Sequence, residues 1–382
     1  MNAPTTFSRR DNSILGRWWW TVDRLALTLL LILIGIGVFL SFSASPSVAE
    51  RLNLDTFFFV KRHMIMIIPA LAAMISVSLL SPVGVRRLSL LIYLTGIILL
   101  IFTYFYGLEI KGARRWIIIF GTSIQASEFI KPALTVITAW LIAEKMHDEK
   151  FPGITLSMAV IGATVGLLLL QPDLGMTVVI VTTWVGQLFI AGMPIFWMAG
   201  LVSIGVVGLV GAYYFLPHVT KRIDQFLDPT AGNPVHDLYQ ITKSLAAFAN
   251  GGFFGKGPGE GVVKKNVPDA HADFVFAVAG EEFGLWMCIL IVCIFASIVV
   301  RFMVRSMQSS SLFILLGATG LTVQFGLQAF INMASALHLI PTKGMTMPFI
   351  SYGGSSMIAL AVCVGMLLAF TRKRHGLHDW GE

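Results

Sequence analysis

The chain is a succession of long apolar runs separated by short polar connections, at residues 24–42, 56–80, 87–107, 126–144, 153–170, 174–191, 195–215, 274–300, 311–338 and 348–371. A helix needs about 20 apolar residues to cross a bilayer core. Backbone polar groups in lipid must pair within the protein, which favours uninterrupted helices. The pattern predicts an all-α integral membrane protein of about ten transmembrane helices. One polar stretch, residues 216–273, breaks the rhythm between helices seven and eight. Loops of that length are uncommon unless they carry function. Residues 236–249 look helical, so surface or re-entrant helices are expected inside a long extracytoplasmic loop. Domain organisation follows: a cytoplasmic tail over 1–23, one transmembrane domain over 24–371 and a second cytoplasmic tail over 372–382, with no internal repeat or low-complexity tract.

The apolar run at 25–42 is followed by Ser47-Val48-Ala49, which resembles a signal-peptidase site. A cleaved signal has an apolar core of roughly 7–15 residues, shorter than this run. Trp18, Trp19 and Trp20 in front of it suit an interfacial aromatic belt, so a retained first helix is expected. With the N-terminus inside, ten spans place both termini in the cytoplasm. Thirteen Lys and Arg then lie inside and fourteen outside or in outer helix ends. Long loops count little toward orientation, and without the six basic residues of 216–273 the outer count falls to eight. The outer positive charge suits either anionic headgroups or an anionic substrate.

Composition agrees with the membrane reading. The chain of 382 residues is 56% hydrophobic and 12% charged, and a soluble protein could not cover that much apolar surface. The net charge of +7 is scattered among apolar runs and forms no nucleic-acid-reading face. Cys288, Cys293 and Cys363 all lie in apolar stretches, which leaves neither a disulfide framework nor zinc-ligand spacing.

Ionisable and polar side chains within or beside the spans carry the candidate chemistry. Glu128 and Lys131 are three positions apart on one helix face, close enough to pair. They read either as a satisfied structural pair or as a charged floor under an outward-facing cavity. Gln324, Gln328 and Asn332 recur every four residues, a stripe suited to interhelical hydrogen bonds. Asp173 stands where the sixth span begins and reads as an N-cap. The glycine-rich stretch 251–261 is no phosphate loop: Asn250 stands where the first glycine belongs and no Ser or Thr follows Lys256. It reads as a flexible, turn-rich segment. Asp273 enters the eighth span beside a basic loop, where a carboxylate can take a proton from a sugar hydroxyl or simply cap the helix. Glu281 follows eight residues later and is expected on the same face, about 12 Å deeper. Lys343 reads as an exposed cation opposite Asp273, on a loop whose Pro341, Gly344, Pro348, Gly353 and Gly354 permit close approach to a ligand.

These motifs together resemble the SEDS family (shape, elongation, division and sporulation). The matching pieces are Gly112-Ala113-Arg114-Arg115-Trp116, Ser127-Glu128 with Lys131, and Gln171-Pro172-Asp173-Leu174-Gly175. Further pieces are Arg222 with Phe226 and Pro229, Tyr239-Gln240, Ser244 before Gly251-Gly252, His271-Ala272-Asp273-Phe274, Glu281-Glu282 and the run Ser351-Tyr352-Gly353-Gly354-Ser355-Ser356. Pro341-Thr342-Lys343-Gly344 is similar to the division branch rather than the elongation branch. Two positions depart from the family pattern, Ala126 in place of proline and Ala272 in place of threonine; neither removes a charge.

The resemblance implies a peptidoglycan glycosyltransferase that polymerises lipid II, inverts the donor's anomeric centre and releases undecaprenyl pyrophosphate. It makes Asp273 the general base. Lys343, Arg222, Arg114 and Arg115 become candidates for the pyrophosphate, a growing negative charge that needs cations. Glu128, Lys131, Ser351 and Tyr352 complete the expected substrate-binding set. It leaves room for a divalent cation, Mg2+ or Mn2+, and needs no organic cofactor. The expected partners are a class B penicillin-binding protein transpeptidase (FtsI-like) and other divisome membrane proteins, with no nucleic acid. The expected location is the inner membrane at the division septum. A lipid II flippase and a non-catalytic divisome scaffold are the competing readings. No Ser-x-x-Lys stands at a credible catalytic position, so crosslinking is expected of the partner.

Overall fold

The computed structural model describes residues 13–110, 113–119, 121–227, 237–341 and 343–373. Gly112, Pro229 and Thr342 of the quoted motifs lie outside the described residues, as do most of both expected tails. A short helix, α1 (Ile14–Thr21), is capped by the Ser13 hydroxyl, which accepts from Gly16 N at 3.0 Å. Seven apolar helices follow: α2 (Arg24–Arg51), α3 (Phe58–Ser78), α4 (Pro82–Tyr106), α5 (Ala126–His147), α6 (Gly153–Leu170), α7 (Leu174–Ile190) and α8 (Ile195–Phe215). After two shorter polar helices, α9 (Pro217–Leu227) and α10 (Asp237–Gly251), come α11 (Val275–Ser306), α12 (Leu312–Ala336) and α13 (Gly354–Phe370). Eight of the apolar helices are long enough to cross a membrane, and α7 and α13 are shorter apolar helices of 17 residues. At 1.5 Å per residue such a helix is about 25 Å long, near the lower limit for a span. The chain is a multi-pass membrane protein.

Each expected run contains a helix, but several ends move. Helix α2 continues through Pro46 to Arg51, beyond the expected end at 42. Helix α4 starts earlier than expected because the Ser81 hydroxyl accepts from Gly84 N at 3.1 Å and Pro82 stands at the first helical position. Helix α13 starts later, because Pro348–Tyr352 forms a turn with Phe349 at φ 61°. The Phe349 carbonyl presses on α2 at Gly37, where a methyl group would collide with it.

The eighth span is also broken. Gly284 (φ 75°, ψ −169°) interrupts α11, freeing backbone groups that a lipid-facing helix could not leave unpaired. The glycine-rich stretch supplies their partners. Leu285 N donates to Gly252 O at 3.0 Å, while Lys256 N and Gly257 N donate to Glu281 O and Glu282 O at 3.0 and 2.9 Å. That stretch is therefore turn-rich, as expected, but it is pinned against α11.

Burial separates a centre from an edge. In the most apolar window of α5, 83% of residues are buried, against 11% in α8. Helices α5, α12 and α13 form the middle, and α8 lies at the periphery. The alternation of spans gathers the connections 107–125, 171–173, 216–274 and 337–353 at one end of the bundle. The expected helix near 236–249 is present as α10. The all-α reading gains one small exception, a three-stranded antiparallel sheet of β1 (Leu108–Ile110), β2 (Ala113–Ile119) and β3 (Thr122–Ile124). Its register pairs Glu109 with Arg114 and Ile117 with Ile124. Consecutive β-branched residues at 117–119 favour a strand, and Gly121 at φ 73° makes the return.

Candidate functional site

Asp273 lies in the turn before α11, which Asp269 opens by accepting from the Ala272 and Asp273 amides at 2.9 and 3.1 Å. The N-cap position of α11 belongs to Phe274, and no side chain caps it. Asp273 is therefore not the helix cap. Its side chain is half-buried, and the loop between α12 and α13 runs directly against it. A methyl group built on Gly344 would stand 2.8 Å from Asp273 Oδ2. Asn332 of α12 donates from Nδ2 to Asp273 O at 3.0 Å and to Met345 O at 2.7 Å.

Lys343, next to Gly344, corrects the expectation of an exposed cation. Its side chain is 12% exposed and its Nζ lies 2.5 Å from Asp173 Oδ1. Asp173 does cap α7, accepting from Met176 N at 3.3 Å, and it also takes Arg115 at 4.0 Å. Burial pushes the Asp173 carboxyl up, but the Lys343 and Arg115 charges outweigh burial and hold it below the usual carboxylate range. Two cations thus share one carboxylate. Arg222 on α9 adds a third positive charge whose field reaches Lys343, and Phe226 of the same helix packs on His338 beyond α12, with ring centroids 4.8 Å apart.

The two neighbouring arginines part company because successive strand residues face opposite ways. Arg115 turns inward, donating to Gln171 O at 3.3 Å and to Pro172 O. Arg114 turns outward to an exposed pair with Glu109 at 3.3 Å. The structure gathers Arg115 and Lys343 on Asp173, sets Arg222 within reach of Lys343, runs Gly344 of the same loop against Asp273 and leaves Arg114 on the rim.

Glu128, Lys131 and Ser351, expected to bind substrate, have partners within the protein. Glu128 and Lys131 pair at 2.9 Å with side chains 4% and 1% exposed. Lys131 also donates to Gln328 Oε1 at 2.8 Å, and Gln328 Nε2 donates to Thr346 O at 3.1 Å. The polar stripe on α12 does bond between helices, with Gln324 accepting from Thr135 at 3.0 Å. The Ser351 hydroxyl accepts from Met347 N at 2.8 Å and holds the turn. Tyr352 N donates to His271 O at 2.9 Å, and the Tyr352 ring packs on Phe59 and His271, with centroids 5.4 and 5.5 Å away. Burial holds the His271 imidazole at a pKa of about 4.

Glu281 lies beyond the turn that holds Asp273, so the single-helix spacing expected between them does not apply. It is 0% exposed and accepts from Asn250 Nδ2, Val263 N and Lys264 N at 2.8, 2.8 and 2.6 Å. Glu282 takes Lys264 and the Ser43 hydroxyl. These two carboxylates anchor the long loop. The residues that sequence reasoning missed are the Lys343–Asp173 pairing and the Phe59 contact with His271, both formed across the chain. The Asn332 bridge was missed in part: its stripe was visible, but its carbonyl partners were not.

Apolar helices whose loops converge on a half-buried carboxylate and a cluster of charged side chains define a polytopic membrane protein. The chain belongs to the family described as cell cycle protein (FTSW_RODA_SPOVE), which it matches over residues 23–376. It is similar to a protein of Caulobacter vibrioides (strain NA1000 / CB15N) named probable peptidoglycan glycosyltransferase FtsW, with 43% identity over 378 residues, 99% of this chain and 96% of that one. A protein of the same name from Methylococcus capsulatus is 35% identical over 338 residues, 85% of this chain and 83% of its own. Among solved structures, a chain from a study titled "Structural coordination of polymerization and crosslinking by a peptidoglycan synthase complex" superposes with a TM-score of 0.77 at 24% identity, covering 92% of this chain and 98% of that one. The rod shape determining protein RodA of Thermus thermophilus gives a TM-score of 0.65 at 24% identity, over 92% and 97% of the two chains. These two likenesses concern the fold.

Proposed function

We propose that this chain is a peptidoglycan glycosyltransferase of the division branch, polymerising lipid II with Asp273 as general base. The observation that carries the reading is the juxtaposition of the half-buried Asp273 carboxylate with the Lys343–Gly344 loop. Asp273 accepts the proton of the acceptor's sugar hydroxyl as the oxygen attacks the donor's anomeric carbon. The new carbon–oxygen bond forms while the bond to the diphosphate breaks, its electron pair leaves with undecaprenyl pyrophosphate, and the carbon inverts. Lys343 and Arg115 share a single carboxylate in Asp173, and Arg222 adds further positive charge. A diphosphate drawn to that surplus gains charge stabilisation as it departs. The lipid tail stays in the bilayer while the head reaches the loops.

The described residues offer no ready cage for a divalent cation at the diphosphate: no three His, Cys, Asp or Glu side chains among them come together as a metal site. The proposed orientation has the site end outside the cytoplasm and both termini inside, a reading that the weighting of short-loop charge supports. The septum is the proposed location, and a class B penicillin-binding protein transpeptidase is the proposed partner. The family description, cell cycle protein, supports the first, and the polymerisation and crosslinking complex of the structural neighbour supports the second.

The test is polymerisation of lipid II by the purified full-length protein, alone and with the transpeptidase, read as glycan strands on a gel. Glycan made by the wild type and lost in Asp273→Asn is the expected result. A flippase would move lipid II with Asp273→Asn intact and fail when Gln324 or Glu128 is replaced, and a scaffold would tolerate all three changes.

A further inference from the structure

Asn332 stands between the two backbone segments that form the site. Its side chain is 1% exposed, and its Nδ2 faces the carbonyls of Asp273 and Met345 at 3.0 and 2.7 Å. Only the NH2 end of an amide can face two carbonyl oxygens, so its orientation is fixed by its neighbours. Both amide protons are occupied, one on each segment. Met345 directly follows Gly344, the residue whose added methyl would meet Asp273 Oδ2 at 2.8 Å. One turn away on the same helix, Gln328 holds Thr346 O at 3.1 Å. Helix α12 therefore grips the Lys343 loop at successive carbonyls, and through Asn332 it also grips the Asp273 turn.

We propose that Asn332 is a positioning residue for Asp273: by bridging the two carbonyls it sets the gap between the base and the Lys343–Gly344 loop. The inference rests on the reading of Asp273 as the base. A buried amide could instead serve folding alone, and two features argue for position. The two carbonyls belong to residues 72 positions apart (273 and 345) that share no direct backbone hydrogen bond among those described. The gap they define also contains the reactive carboxylate. A misplacement of about 1 Å at a reacting group can cost on the order of 100-fold in rate.

The experiment uses the full-length protein with its transpeptidase and lipid II, measuring kcat, KM and the pH–rate profile. Asn332→Asp keeps the side-chain shape and removes both donors. Gly344→Ala leaves Asn332 intact and crowds the carboxylate from the loop side, without disturbing the helix core. Both variants are expected to lower kcat about 10- to 100-fold, to leave KM within about threefold and to shift the acidic limb of the pH profile. Wild-type kcat and pH profile in either variant would overturn the proposal. So would an Asn332→Asp loss that merely tracks the folded fraction while Gly344→Ala behaves as wild type. Asp273→Asn, run in parallel, separates the two claims. If it still polymerises, the base assignment falls; if it is inactive while Asn332→Asp and Gly344→Ala are normal, only the positioning role falls.

Discussion

Two aspartates at opposite ends of the bundle are built alike and lie in different surroundings. Asp23 caps α2 through Ala26 N at 3.2 Å and takes Arg301 and Arg305 at 2.7 and 3.0 Å. Asp173 caps α7 and takes Lys343 and Arg115. In both cases burial pushes the carboxyl up and the cations overcome it. The cations of Asp23 both come from one helix, α11, so the first cluster is a clamp between helices. Those of Asp173 come from a strand and a loop, and a third cation faces the second cluster from α9. A cation held by a connection can exchange one anion for another at little cost in packing. Under the proposed function, the same charge arrangement fastens helices at one end and receives a diphosphate at the other.

The sharpest way to break this contrast is to neutralise each aspartate while keeping its cap, since asparagine caps helices about as well. Asp173→Asn strands Lys343 and Arg115, 12% and 21% exposed, without a counter-charge. A loss of about 3–5 kcal/mol is expected for a broken buried pair, read as a lower thermal midpoint in detergent, together with loss of polymerisation. Asp23→Asn strands arginines 31% and 20% exposed, so the loss is expected nearer 1–2 kcal/mol, about the range between surface and buried pairs. Polymerisation per folded molecule should stay unchanged. Equal activity losses in the two variants would erase the distinction between clamp and site.

A third test concerns pH. Burial lowers the His271 pKa from 6.5 to about 4, so between those values the unfolded chain binds a proton that the folded chain refuses. Stability is therefore full above 6.5 and falls as pH drops toward about 4. Replacing His271 by Phe keeps its packing on Phe59, 4.1 Å between centroids, and should flatten that fall by about 1–3 kcal/mol. An unchanged pH dependence of the thermal midpoint would refute the assignment. The smallest effect is expected from Arg114→Ala, within about 0.5 kcal/mol, since exposed pairs contribute little. The same change at Arg115 should weaken the Asp173 cluster.

Hydropathy was enough to find the ten apolar helices because a membrane demands a long apolar run from every crossing helix. It could not find the break at Gly284, since a glycine inside an apolar run looks helical until its partner loop at 252–257 arrives from elsewhere. The sheet at 108–124 was missed for a different reason: β1 and β3 have three residues each, too few for a period to stand out. Had β2 been recognised, the period of two would have separated Arg114 from Arg115. The Asp273 turn and the loop after α12 were legible as motifs. Lys343 could not be read as buried, because its partner Asp173 lies 170 positions away. The start of α4 was legible and overlooked, in the sequence Ser81-Pro82.

The central claim is that the acceptor's proton passes to the Asp273 carboxylate. It is tested most directly by measuring lipid II binding and single-turnover polymerisation side by side in wild type and Asp273→Asn. Removal of a general base is expected to cost about 100- to 10,000-fold in rate, with lipid II affinity kept within about threefold. A variant that polymerises near the wild-type rate, or that loses binding and rate in equal measure, would contradict it.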